Sequence, residues 1–122
     1  MKATRQLQSS NEYNIRKDLR ELVQNVRANH FKDSCLRSAP DCDPAAQAST
    51  DFGLGLLFNF HHSVFLQSEA HGISEQFQKQ MARDFCGWFN LAVAKDLWDR
   101  QTKAGNYDSE RQRMRREWCD RV

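Results

Sequence analysis

The sequence predicts an all-α fold: a four-helix, bundle-like single domain with one long loop over residues 29–49. Three observations carry this. Apolar residues recur in blocks at helical spacing. The 122 residues include only two Pro and five Gly, too few for an all-β design with a turn every 8–12 positions. Residues 85–94, FCGWFNLAVA, are apolar on nearly every side in a chain whose mean hydropathy is −0.82. A helix without a wet face is buried all round, and ten residues are too few to cross a bilayer. The 39% hydrophobic content, with eight Phe and three Trp, marks a folded chain rather than a disordered one.

Residues 1–9 are polar and predict a frayed N-terminus. Ser10 or Asn11 can cap a first helix, in which Ile15, Leu19, Leu22, Val23 and Val26 form one apolar stripe. Arg16, Lys17, Arg20 and Glu21 then face water. Over 29–49 the periodicity disappears, and Pro40, Pro44, Ser34, Ser38, Asp41 and Asp43 mark a connection, shortened if a helical turn follows Pro44. Ser49, Thr50 and Asp51 offer caps for a second helix over 52–68. Its residues Phe52, Leu54, Leu56, Phe58 and Phe60 alternate like a strand. No partner strand is visible, and a lone strand leaves its backbone unpaired.

His71-Gly72 breaks the chain, and Ser74 caps a long third helix to Lys103. Ile73, Phe77, Met81, Phe85, Trp88 and Ala92 share one face; Cys86, Phe89, Val93 and Leu97 fill a second. Residues 85–94 are therefore expected as the central rod of the bundle, with Gly87 admitting another helix closely. Gly105 falls where a helix C-terminus needs a left-handed residue. Ser109 with Gln112 fits a capping box for a fourth helix that runs to the C-terminus and buries Met114 and Trp118.

The net charge of +2, from 18 basic and 16 acidic residues, lacks the excess that makes nucleic acid the first expectation. Residues 1–29 hold no apolar secretory segment, and no window spans a membrane. These features predict a cytoplasmic location, in which Cys35, Cys42, Cys86 and Cys119 are free thiols; Cys35 and Cys42 flank a short loop and pair if oxidised. His30, Cys35 and Cys42 with His61 or His62 carry zinc-ligand chemistry, but the spacing H-x4-C-x6-C fits no common finger. No metal and no cofactor is implied. His61 and His62 lie in an apolar helix, where a core histidine bonded to a backbone carbonyl is expected rather than a general base served by Glu69, His71 or Asp84. Asp84 and Lys95 project towards the apolar face of the third helix and each needs a partner. Asp51-Phe52-Gly53 spells a kinase metal-binding tripeptide without any other kinase motif. No phosphate loop, nucleophile elbow or zincin motif occurs, and no family is recognised.

The aromatic content exceeds what one small bundle must hide. The expected function is a small non-catalytic interaction factor (an adaptor, assembly subunit or inhibitor) whose exposed patch of Phe58, Phe65, Trp88, Phe89 and Trp98 binds a protein partner or a second copy. The alternative is a nucleic-acid-binding regulator using Arg111, Arg113, Arg115 and Arg116 of the last helix with Arg16, Lys17 and Arg20. Acids interleaved with those arginines weaken the field a nucleic acid would seek. A short chain without motifs also suits an accessory protein of a phage or other mobile element.

Overall fold

The computed structural model describes residues 4–120. They form six α-helices and, among the described residues, no strand: α1 Arg5–Asn29, α2 Asp33–Leu36, α3 Pro44–Glu69, α4 Glu75–Trp88, α5 Ala92–Lys103 and α6 Ser109–Cys119. The all-α class is as expected, and the alternating residues 52–60 lie inside α3. None of these helices is long and apolar enough to cross a membrane.

The helix starts differ from expectation for local reasons. Thr4 Oγ1 accepts from the Leu7 amide at 3.1 Å, so α1 begins well before Ser10. Most of the expected fray is helix, and residues 1–3 lie outside the described residues. Gln8 and Asn11 side chains tie this end to the carbonyls of His71 and Gly72 at 2.9 and 2.8 Å. Helix α3 starts at Pro44, capped by Asp43, whose carboxylate accepts from the Ala46 amide at 2.8 Å. Asp-Pro supplies a cap and a first residue with no amide to satisfy, which outweighs the expected cap at Ser49–Asp51. Ser49 and Thr50 serve a corner instead: Ser49 Oγ donates to His30 O at 2.8 Å, and Thr50 Oγ1 accepts from Lys32 N at 3.1 Å. The expected 29–49 loop therefore shrinks to two short connections around α2. Gly53 sits deep in α3, where an added Cβ would meet the Phe31 ring at 2.8 Å and His30 Cβ at 3.0 Å. Its bareness is what lets the α1–α2 corner lie on α3.

The expected 74–103 helix is two helices. Phe89, Asn90 and Leu91 amides bond three residues back, to Cys86, Gly87 and Trp88 carbonyls at 3.0–3.1 Å, and the chain turns. Gly87 and Asn90 are poor helix formers at that point. The turn brings Phe89 flat against Phe58, ring centroids 5.5 Å apart at 8°. The central rod is thus α3, which packs on every other helix, and residues 85–94 are a corner wrapped against it. Ser74 caps α4 as expected, accepting from Phe77 N at 3.2 Å, and Gly105 takes φ +81°. Helix α6 is capped by Asp108 at 3.0 Å from Arg111 N rather than by Ser109.

All four cysteines are disulfide-bonded, Cys35 to Cys42 and Cys86 to Cys119. The expectation of free thiols is overturned. The first bridge closes the α2 turn, and the second fastens α6 to the end of α4. Pairing also removes both thiols from the zinc set considered above.

Candidate functional site

The expected aromatic patch is mostly core. Phe58, Phe65 and Trp98 are 0%, 1% and 1% exposed, so they present no surface to a partner. Phe58 is ringed by Phe85, Phe89, Trp98 and Tyr107 at centroid distances of 5.2–6.4 Å, and Phe65 packs edge-on to Trp118 at 5.4 Å. Edge-to-face rings fill space with favourable quadrupole contacts, and this is where the surplus of aromatics goes. Phe89 is half-buried and roofed by Arg115, whose guanidinium carbon lies 4.4 Å from the ring centre. Trp88 is half-buried on another side, edge-on to Phe31 at 5.8 Å. The large side chains that do face water, Leu7, Tyr13, Phe52 and Leu66, come from the outer faces of α1 and α3.

Trp88 belongs to a groove. Helices α1 and α4 run in the same direction on α3. They touch at one end, where Arg16 donates to Gln80 Oε1 at 3.1 Å and lies over the Phe77 ring at 5.0 Å. Beyond that they diverge. The space between them holds about 450 Å³, lined by Leu19, Val23 and Arg27 of α1, His61 of α3, and Arg83, Asp84, Gly87, Trp88 and Leu91. It adjoins a second depression of about 380 Å³ that shares Arg27, Trp88 and Leu91 and ends on Phe31, Asp33 and Leu36. From Leu19 to Arg27 the α1 wall is about 12 Å long at helical rise, and Phe31, past the end of α1, continues it. An added Cβ on exposed Gly87 would meet nothing within 4 Å. The close approach that this glycine permits is therefore left open by the chain itself.

The floor carries one polar side chain. His61 is fully buried, and its Nδ1 lies 2.8 Å from Leu57 O. A carbonyl only accepts, so Nδ1 carries the proton. Burial pushes the ring below the ordinary histidine pKa, against smaller upward pulls from Leu57 O and the Asp84 carboxylate; the ring is neutral near pH 7. Nε2 is then a bare acceptor, and it has no partner among the described residues. Its neighbour His62 turns towards α6, where burial and Arg111 lower its pKa. Glu69 is held by Arg113 through two bonds of 2.6 and 2.7 Å. This pairing keeps the Glu69 carboxyl below its usual range and leaves it no part in a histidine dyad. Asp84 and Lys95 are exposed rather than set into the apolar face.

The seven basic residues of the alternative site are not brought together as one free surface. Arg111 donates to Asn59 at 3.2 Å, Arg113 to Glu69, and Arg115 lies 3.5 Å from Asp99 while covering Phe89. These side chains cross-brace α6 to the core. Arg16 is turned onto Phe77; Lys17, Arg20 and Arg116 are exposed. A depression of about 410 Å³ between α4 and α6 is walled by Glu75, Lys79, Arg83 and Glu117 over Trp118, charges of both signs above a seam already closed by the Cys86–Cys119 bridge. Among the described residues no three His, Cys, Asp or Glu side chains form a metal-holding cluster. The groove residues Leu19, Val23 and Leu91 were read from sequence as core. The available signal was the width of the α1 stripe, since α3 fully covers only Ile15 and Val26 of it. Compared with protein-family models, with curated proteins and with solved structures, the chain finds no significant match in any of the three.

Proposed function

We propose that this chain is a non-catalytic interaction factor, an adaptor, assembly subunit or inhibitor, that receives a helical segment of a partner protein in the α1–α4 groove. The observation that supports this best is the vacancy itself. Two helices packed on a common third leave an apolar-walled trough about two helical turns long, with Gly87 bare on its lip. An amphipathic helix laid in a groove is a recurrent recognition mode, read through anchors spaced by three or four residues. Of the five aromatics expected at the interface, Trp88 is the one that fits this reading. Arg111, Arg113 and Arg115 are engaged within the chain, and that weighs against a nucleic-acid partner.

The reading concerns the disulfide-bonded form. Two structural disulfides suit an oxidising compartment better than the cytoplasmic location expected from the sequence. Mass analysis of the protein from its own cell under alkylation decides this: four alkyl groups added only after reduction place the chain in an oxidising compartment, whereas four added without reductant place it in a reducing one.

The docking test uses a displayed library of amphipathic helical peptides about 16 residues long, selected against the whole protein. Selected peptides should lose at least about tenfold in affinity on Gly87→Trp, which fills the groove where nothing lies within 4 Å. Peptides indifferent to Gly87→Trp, or a selection that yields none, contradict the proposal.

A further inference from the structure

We infer that the helix docked in the α1–α4 groove is an acidic one, whose carboxylates flank its apolar anchors and meet Arg20, Arg27 and Arg83. The inference rests on the docking reading above and adds the charge of the partner.

The walls of the groove are apolar, but its edges are basic. At the helical repeat, Arg16, Arg20 and Arg27 line up along the outer edge of the α1 wall, beside Leu19 and Val23. Arg16 is taken up at the closed end by Gln80 and the Phe77 ring. Arg20 and Arg27 are exposed and stand about 10 Å apart along the axis. Arg83 is exposed on the α4 edge. Among the described residues none of these three takes part in an ion pair. The acids of α1 do not balance them. Asp18 and Glu21 fall on the side of the helix away from Val23, and Glu12 accepts from the Ser74 amide at 2.8 Å. Asp84 is the one carboxylate that lines the larger depression. Asp33, in the adjoining one, is held by Arg37 at 2.7 Å.

The cations round this mouth therefore outnumber the anions and have no partner on the protein, unlike Arg111, Arg113 and Arg115 of α6. Unpaired arginines on both edges of an apolar trough suit a ligand of both characters. A helix whose apolar face covers Leu19, Val23, Trp88 and Leu91 brings carboxylates on its flanks to these edges. A basic helix sets like charges against them, which slows encounter and costs affinity. A nucleic acid satisfies the arginines but lays its charged backbone against apolar walls.

The experiment uses the whole protein and three displayed helical libraries. All share the same randomised apolar anchors, and the flanks are fixed as Glu, Gln or Lys. The expected result is that a selected Glu-flanked peptide binds about tenfold tighter or more than its Lys-flanked twin, by an amount that shrinks as salt is added. Arg27→Glu should cut the preference about threefold or more. Lys17→Glu, the same charge change away from the groove, should leave it in place. Equal binding of the twins overturns the inference, as does tighter binding of the Lys-flanked one, or an effect of Lys17→Glu as large as that of Arg27→Glu. So does a DNA duplex that displaces the acidic peptide at a lower concentration than the peptide itself. The comparison of twins on the wild type decides the matter even if Arg27→Glu does not fold. If Gln-flanked peptides bind as tightly as Glu-flanked ones while Gly87→Trp still abolishes binding, the acidic flank falls and the docking groove stands. A preference for acid that ignores Gly87→Trp places the peptide elsewhere, and both fall.

Discussion

Helix α4 has two flanks, and they are finished differently. On the α6 side the seam is closed three times over: by the Cys86–Cys119 disulfide, by arginines laid across Phe65 and Phe89, and by the Arg113–Glu69 pair that joins α6 to α3. On the α1 side the two helices touch near Arg16 and then separate, leaving Trp88 half-covered and a glycine bare. Even the adjacent histidines divide, His61 under the open flank and His62 under the closed one. The difference teaches that Arg111, Arg113 and Arg115 of α6, which look like a ligand-binding set in sequence, are engaged in the fold, whereas the plain apolar stripe of α1 is left part-covered.

The largest expected effect comes from the core that both flanks share. Phe58→Ala should destabilise by about 3–5 kcal/mol, the usual cost of deleting a fully buried ring, as read from denaturant midpoints. A loss of partner binding at unchanged stability would instead restore Phe58 to the surface. Next is the closing device of the α6 flank. Replacing Cys86 and Cys119 together by Ser should cost about 3–4 kcal/mol, since the bridge closes a loop of 33 residues and constrains the unfolded chain accordingly. The Cys35–Cys42 bridge spans 7 and should be worth about 2 kcal/mol. If both pairs prove equal in calorimetry, the closed flank does not depend on its disulfide.

Acid should separate the two histidines. Both have pKa values lowered by burial in the folded protein, so the unfolded chain binds protons first as pH falls. Above about pH 6.5 neither state is protonated and there is no effect. Below it, stability should fall, with a slope approaching about 1.4 kcal/mol per pH unit from His61 alone, until the folded rings titrate. Urea midpoints at pH 7.5 and 5.5 measure this, and His61→Leu should flatten the slope. A midpoint that does not move over this interval contradicts the buried neutral rings.

The smallest pair of effects lies two residues apart on α3. Gly53→Ala drives a methyl group into Phe31 and should lose about 1–3 kcal/mol to overpacking, less about 1 kcal/mol of helix propensity regained. Gly55→Ala meets nothing within 4 Å and should gain about 0.5–1 kcal/mol. Two changes of the same sign would mean that the α1–α2 corner does not rest on Gly53.

The class of fold was legible because helical spacing survives without knowledge of contacts: Ile15 through Val26, Phe77 through Phe85 and the Ser74 and Gly105 signals stand where expected. The break at Phe89–Leu91 was not, since it follows from Phe89 finding Phe58, a contact remote in sequence. The start of α3 was present in Asp43-Pro44 but masked by the turn-like residues around it. The site was the least legible part. A stripe of Leu and Val reads as buried whether another helix covers it or leaves it half open. Rings such as Phe58 and Trp98 have the composition of an interface whether they meet a partner or one another. The thiols were misread because pairing depends on distance, and Cys86 and Cys119 are 33 residues apart.

The unfinished α1 flank is tested most directly by methyl chemical-shift mapping of the whole protein on addition of a groove-selected helical peptide. The account predicts that the Leu19, Val23 and Leu91 methyls shift while that of Met114, on the buried face of α6, does not. Shifts centred on Met114 with Leu19, Val23 and Leu91 unmoved would contradict it.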